Sequence, residues 1–115
     1  MNSEQQFSFN SDDLGLLRSV LNEVLNGFDV PEFDRRIGMK RAALEELLAR
    51  LHNFGSHDAM TLDTNQTRAF RNALFETIRE LGVDEFHTRT GYDFSQGKAV
   101  LKKLDRFLGT DAGAE

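Results

Sequence analysis

Hydrophobic positions along the chain fall into two similar series. Leu14, Leu17, Leu21, Val24 and Phe28 recur at three- and four-residue spacing, with Leu16 and Val20 widening the stripe. This is the pattern of a helix with one face in a core. Ser11 suits its N-cap, Asp12 and Asp13 its first turn, and Gly27 a left-handed C-cap. Leu44, Leu47, Leu48 and Leu51 predict a second helix over about 40–52. Phe70, Leu74, Ile78 and Leu81 then predict a third, capped by Asp63 or Thr64 and stopped by Gly82. Val100, Leu101, Leu104 and Phe107 predict a fourth, capped by Asp93 and ended by Gly109. Gly97 inside that last helix costs about 1 kcal/mol relative to alanine, which points to close packing against a neighbour.

The connection between helices is the most informative stretch, because it occurs twice. Residues 30–38 read VPEFDRRIG and residues 83–91 read VDEFHTRTG, displaced by 53 positions. Laid over each other without a gap, residues 17–51 and 70–104 are identical at Glu23/Glu76, Phe33/Phe86, Arg36/Arg89, Gly38/Gly91 and six further pairs, Arg18/Arg71 and Glu32/Glu85 among them. Pro31 suits the first turn of a short helix that Phe33 anchors and Gly38 closes. Phe7-Ser8-Phe9 and Met60-Thr61-Leu62 alternate as short strands do, and pairing them would give an antiparallel ribbon that needs helices packed on it.

The expected fold is therefore mainly α: two pseudo-symmetric helix–short helix–helix repeats, about 7–54 and 60–109, packed as one domain with a minor two-stranded β ribbon. Residues 1–6 and 110–115 read as frayed tails, and Asn53 to Asp58 as the connector between halves. At 115 residues and 39% hydrophobic content the chain is long enough to bury a substantial core.

Composition narrows the chemistry. No cysteine is present, which removes disulfides, thiolate metal sites and cysteine nucleophiles and fits the cytoplasm. The first residues have neither a basic nor an apolar leader segment, and no run approaches the length of a membrane span. His52, His57 and His87 match no ligand spacing, and Tyr92 has no lysine or serine at an interpretable distance. No phosphate loop, H-E-x-x-H or nucleophile elbow occurs, so neither an enzyme nor a cofactor is expected.

The repeated Glu23, Glu76, Arg36 and Arg89 have the chemistry of carboxylate–guanidinium locks holding each corner to a helix, with Arg18/Glu32 and Arg71/Glu85 as a second pairing. Phe33 and Phe86 read as core anchors. The formal charge is −5, with seven acids against Arg18 alone over residues 1–34. That acidic third suits a basic partner, a role of the immunity or antitoxin kind among them.

Two functions follow. The first is a non-catalytic protein-binding or assembly module, acting on a protein partner or on a second copy of itself. The alternative is a nucleic-acid-binding regulator that would use Arg35, Lys40 and Arg41 at the first corner and Lys98, Lys102, Lys103 and Arg106 along the last helix.

Overall fold

The computed structural model describes residues 7–9, 11–52 and 60–112. The expected connector, His57 within it, and the tail residues 1–6 and 113–115 lie outside the described residues. The described chain is mainly helical, and none of its helices is long and apolar enough to cross a membrane.

Strand β1 (Phe7–Phe9) is followed by α1 (Ser11–Asn22), which runs directly into a single π-helical turn, Glu23–Gly27. After α2 (Phe33–Ile37) and α3 (Arg41–His52) comes strand β2 (Met60–Leu62), then the long α4 (Thr64–Thr90) and α5 (Phe94–Ala112). The two strands pair antiparallel, with Phe7 opposite Leu62, Ser8 opposite Thr61 and Phe9 opposite Met60.

Helix α1 is the centre of the molecule. Its apolar stripe is wide enough that Leu14, Leu16, Leu17, Val20 and Leu21 are all buried, so the helix is enclosed rather than one-sided. It lies between α4 and α3. Ala69 and Ala73 of α4, both fully buried, bring that helix close, and Phe70, Leu74 and Leu44 fill the remaining space.

Local chemistry accounts for where the elements start and stop, and in three places the structure differs from the sequence pattern. Gly27 is not a left-handed cap. The chain makes a π turn there, closed by the Phe28 amide donating to the Glu23 carbonyl at 3.2 Å, and Phe28 leaves in extended conformation. Gly82 does interrupt the third helix, as the sequence pattern expects: its backbone is non-helical (φ 71°, ψ −175°), so α4 consists of two helical segments joined by a kink, the second running to Thr90. That second segment carries the second corner. At the other end, α5 passes through Gly109 to Ala112, so residues 110–112 are helical and not tail. Phe33, expected in the core, is half-buried at its edge, with the Arg41 guanidinium 4.6 Å above its ring.

Among the described residues three glycines have positive φ, and two of them are equivalent corner residues: Gly38 at 88° and Gly91 at 81°. Each closes its helix by donating its amide four residues back, to the carbonyls of Asp34 and His87. At the start of α4, Asp63 and Gln66 form a capping box: the Gln66 amide donates to Asp63 Oδ1 at 2.8 Å and the Asp63 amide to Gln66 Oε1 at 3.1 Å.

Gly97 is explained by packing. A β-carbon there would lie 2.6 Å from Phe86 Cζ, and Phe86 is fully buried, edge-on to Phe94 at 5.7 Å between centroids. Gly15 of α1 likewise leaves room for the Tyr92 hydroxyl.

Candidate functional site

The charged residues that recur in the sequence form two ion pairs, Arg89 with Glu23 and Arg36 with Glu76. Arg89, near the end of α4, donates from Nη2 to Glu23 Oε1 at 2.7 Å and to the Gly27 carbonyl at 3.0 Å. Arg36 of α2 lies 3.4 Å from Glu76 Oε2 of α4, and Arg79 takes the other carboxylate oxygen at 3.1 Å. Both acids sit low in the fold, their side chains 9% and 11% exposed.

The π turn and Gly27 belong to this arrangement. A β-carbon on Gly27 would collide with the Glu23 carboxylate and stand 2.8 Å from Arg89. The second pairing expected from the sequence does not form. Arg18 donates instead to the Leu51 carbonyl at 3.1 Å, Arg71 pairs with Asp105 at 2.7 Å, and Glu32 pairs with its neighbour Arg35 at 3.0 Å. Contiguity decides these partners: each arginine takes the acceptor that its own helix faces.

The seven basic residues considered for nucleic acid do not gather at one site. Arg41 is engaged by the Leu25 carbonyl and the Phe33 ring, Arg35 by Glu32, and Lys103 by Asp13 at 2.8 Å. Lys98 lies 5.9 Å from the Phe94 ring, and Lys40, Lys102 and Arg106 are exposed. The acidic first third is also partly neutralised within the fold, since Asp13, Glu23 and Glu32 all face cations of the same chain.

Metal chemistry finds no grouping among the described residues. Every buried side-chain nitrogen or oxygen there has a hydrogen-bond partner, and no three His, Asp or Glu side chains approach closely enough to hold a metal ion. His52 is exposed at the end of α3, and His87 is exposed 3.9 Å from Asp93.

A feature the sequence pattern had not singled out lies on the outer side of α4. Phe75 is 37% exposed and Val83 is 63% exposed, and these are the exposed large hydrophobic residues of the described chain. The guanidinium of Arg71 stands 4.9 Å from the Phe75 ring centroid and that of Arg79 stands 5.8 Å from it. Arginines four residues before and after an aromatic residue, outside the Phe70–Leu74–Ile78 stripe, were the signal available in the sequence. Beside this ridge an open depression of about 360 Å³ is lined by Arg68, Arg71, Asn72, Asp105, Leu108 and Gly109.

No protein-family model matches the chain, and neither the curated proteins nor the solved structures contain a significant match to it.

Proposed function

We propose that the chain is a non-catalytic protein-binding module, formed by two copies of one helix–corner–helix unit packed about a pseudo-twofold axis. Two independent relations support the symmetry. Ser8 pairs with Thr61, its equivalent under the 53-residue displacement, while Phe7 with Leu62 and Phe9 with Met60 are reciprocal pairs. Such a register is the one that a twofold axis between the two central residues would give. The ion pairs are reciprocal in the same sense, Arg36 with Glu76 and Arg89 with Glu23.

This symmetry explains why the repeated charges are a structural device. Each half supplies one arginine and one acid to the other, and among the described residues neither pair lines the depression bordered by Arg68 and Gly109 or the one bordered by Met39 and Gln66. What remains for function is surface, and the observation that carries the reading is Phe75, an aromatic ring left exposed between two arginines. Phenylalanine and arginine are enriched where proteins meet, and aromatic and arginine side chains are frequent energetic anchors there.

The test is light scattering on protein purified gently from its own cells, with the 260/280 nm absorbance followed across the peak. A mass above one chain with a protein-like ratio supports the module. A high ratio that collapses when salt is raised overturns it in favour of nucleic acid, because phosphate contacts weaken steeply with ionic strength. The chain has no tryptophan and one tyrosine, so bound nucleic acid would dominate the absorbance.

A further inference from the structure

We infer, resting on the protein-binding reading above, that the outer ridge of α4 around Phe75 docks an acidic segment of a partner protein.

The argument begins with how α4 and α5 lie together. Arg71 meets Asp105, while Phe86 packs on Phe94 and on Gly97. Positions rising along α4 therefore meet positions falling along α5, and the two helices are antiparallel. Lys102 and Lys98 stand three and seven residues before Asp105, on its side of α5 and progressively further along α4. Both are exposed, on the side of α5 that carries Asp105 toward α4. On α4 itself Arg68, Arg71, Phe75 and Arg79 follow at three- and four-residue spacing along the outer arc.

The resulting surface is basic on a chain whose formal charge is −5. Two cations, Arg71 and Arg79, stand over the ring, and Arg68, Lys98 and Lys102 add exposed positive charge to the same pair of helices. Two acids answer them, Asp105 at Arg71 and Glu76 at Arg79, and the second of these is mostly buried. A complementary partner therefore brings carboxylates for the guanidinium forks and an apolar side chain for the exposed rim of Phe75.

Phe75 also decides between a protein and a nucleic acid. Sequence-tolerant binding of single strands relies on bases stacking on open aromatic faces. Here two guanidiniums already stand over the ring, so a base would have to displace one, whereas a partner side chain can approach the exposed rim.

The experiment is selection from a random 16-residue phage-displayed peptide library against the folded chain, with counter-selection against Phe75→Ser. Enriched peptides should be net negative and carry at least one large apolar residue. Synthesised with a fluorescent label, they should bind at least ~5-fold more weakly to Phe75→Ser and to Arg68→Glu. Their affinity should also fall as salt is raised from 50 to 200 mM. Far-UV circular dichroism melts establish that each variant is folded, and Arg68→Glu, an exposed position outside the ion pairs described above, serves if Phe75→Ser is not.

Enriched peptides of neutral or positive charge, or none that depend on Phe75 or Arg68, would overturn the proposal. So would tighter binding of a dT16 oligonucleotide than of the selected peptides, or a self-associated chain from which peptides are excluded. The protein-binding reading is judged separately, by the mass and absorbance of the complex from native cells.

Discussion

Arg89 and Glu23 are 66 residues apart in sequence and joined at 2.7 Å, and the same guanidinium nitrogen donates to the Gly27 carbonyl at 3.0 Å. One side chain thus clamps a carboxylate and the carbonyl at the end of the π turn. The equivalent contact, Arg36 to Glu76, is longer at 3.4 Å and shares its acid with Arg79. The two are related by position but not by strength. Removing Arg89 leaves a nearly buried carboxylate without this donor, at a cost of about 1–3 kcal/mol. Removing Arg36 leaves Glu76 its second arginine, so that loss should stay nearer ~1 kcal/mol. Urea unfolding of Arg89→Ala and Arg36→Ala, followed by far-UV circular dichroism, should place the Arg89 variant clearly lower; equal midpoints would contradict the clamp.

These partners show what the sequence could and could not convey. Apolar spacing marks the helices, because Leu14, Leu17, Leu21 and Val24, or Phe70 and Leu74, must share a face to be buried together. A repeat also marks Arg36, Arg89, Glu23 and Glu76 as equivalent residues. It does not say which acid each arginine takes, since that depends on how α4 crosses the π turn. Helix ends are harder still to read. Gly82 and Gly109 both resemble stops, yet only Gly82 breaks its helix, at the kink of α4, whereas Gly109 lies within α5, with nothing near enough to either to meet an added β-carbon. Phe75 was hidden for a different reason: a phenylalanine next to Leu74 reads as core until the orientation of the helix is known.

Gly97→Ala separates intrinsic propensity from packing. Alanine is the better helix former by about 1 kcal/mol, which alone would raise stability. Its β-carbon, however, would stand 2.6 Å and 2.9 Å from two carbons of the Phe86 ring, and a fully buried ring cannot swing away freely. Overpacking of this kind costs about 1–3 kcal/mol. The thermal midpoint should therefore fall by several degrees, and a rise would show that Phe86 has room to move.

Gly82 and Gly91 both have positive φ and open space around them, so substitution there tests backbone strain without a clash. Gly91 (φ 81°, ψ 4°) lies in the left-handed region that asparagine tolerates, and Gly91→Asn should cost no more than about 1 kcal/mol. Gly82 (φ 71°, ψ −175°) lies in a region essentially reserved for glycine. Gly82→Ala should cost about 1–3 kcal/mol or straighten α4 at the kink. Denaturant midpoints give the ordering, and a Gly82→Ala protein as stable as the parent, with unchanged helical signal, would remove the argument for strain.

Lys102 and Lys103 are neighbours on α5 with the same charge and different surroundings, which makes them a controlled pair. Lys103 reaches Asp13 of α1 at 2.8 Å, and the Asp13 side chain is only 8% exposed. Hydrogen bonds to charged groups contribute about 1.5–3 kcal/mol when well made, less where the cation is half-exposed as Lys103 is. Lys103→Ala should thus lower stability by about 1 kcal/mol, whereas Lys102→Ala, on the exposed surface, should stay within about 0.5 kcal/mol of the parent. The same two variants discriminate between roles in binding. If α5 used its lysines as a single row of phosphate contacts, both would weaken a duplex complex by similar factors and reduce its salt dependence together. Lys103 tied to Asp13 instead makes its loss a stability effect, and Lys102, exposed on the Asp105 side of α5, should be the one whose removal weakens an acidic peptide. Melting curves and peptide titrations on this pair resolve the two cases, and a Lys103→Ala chain of unaltered stability would return Lys103 to the set of available surface cations.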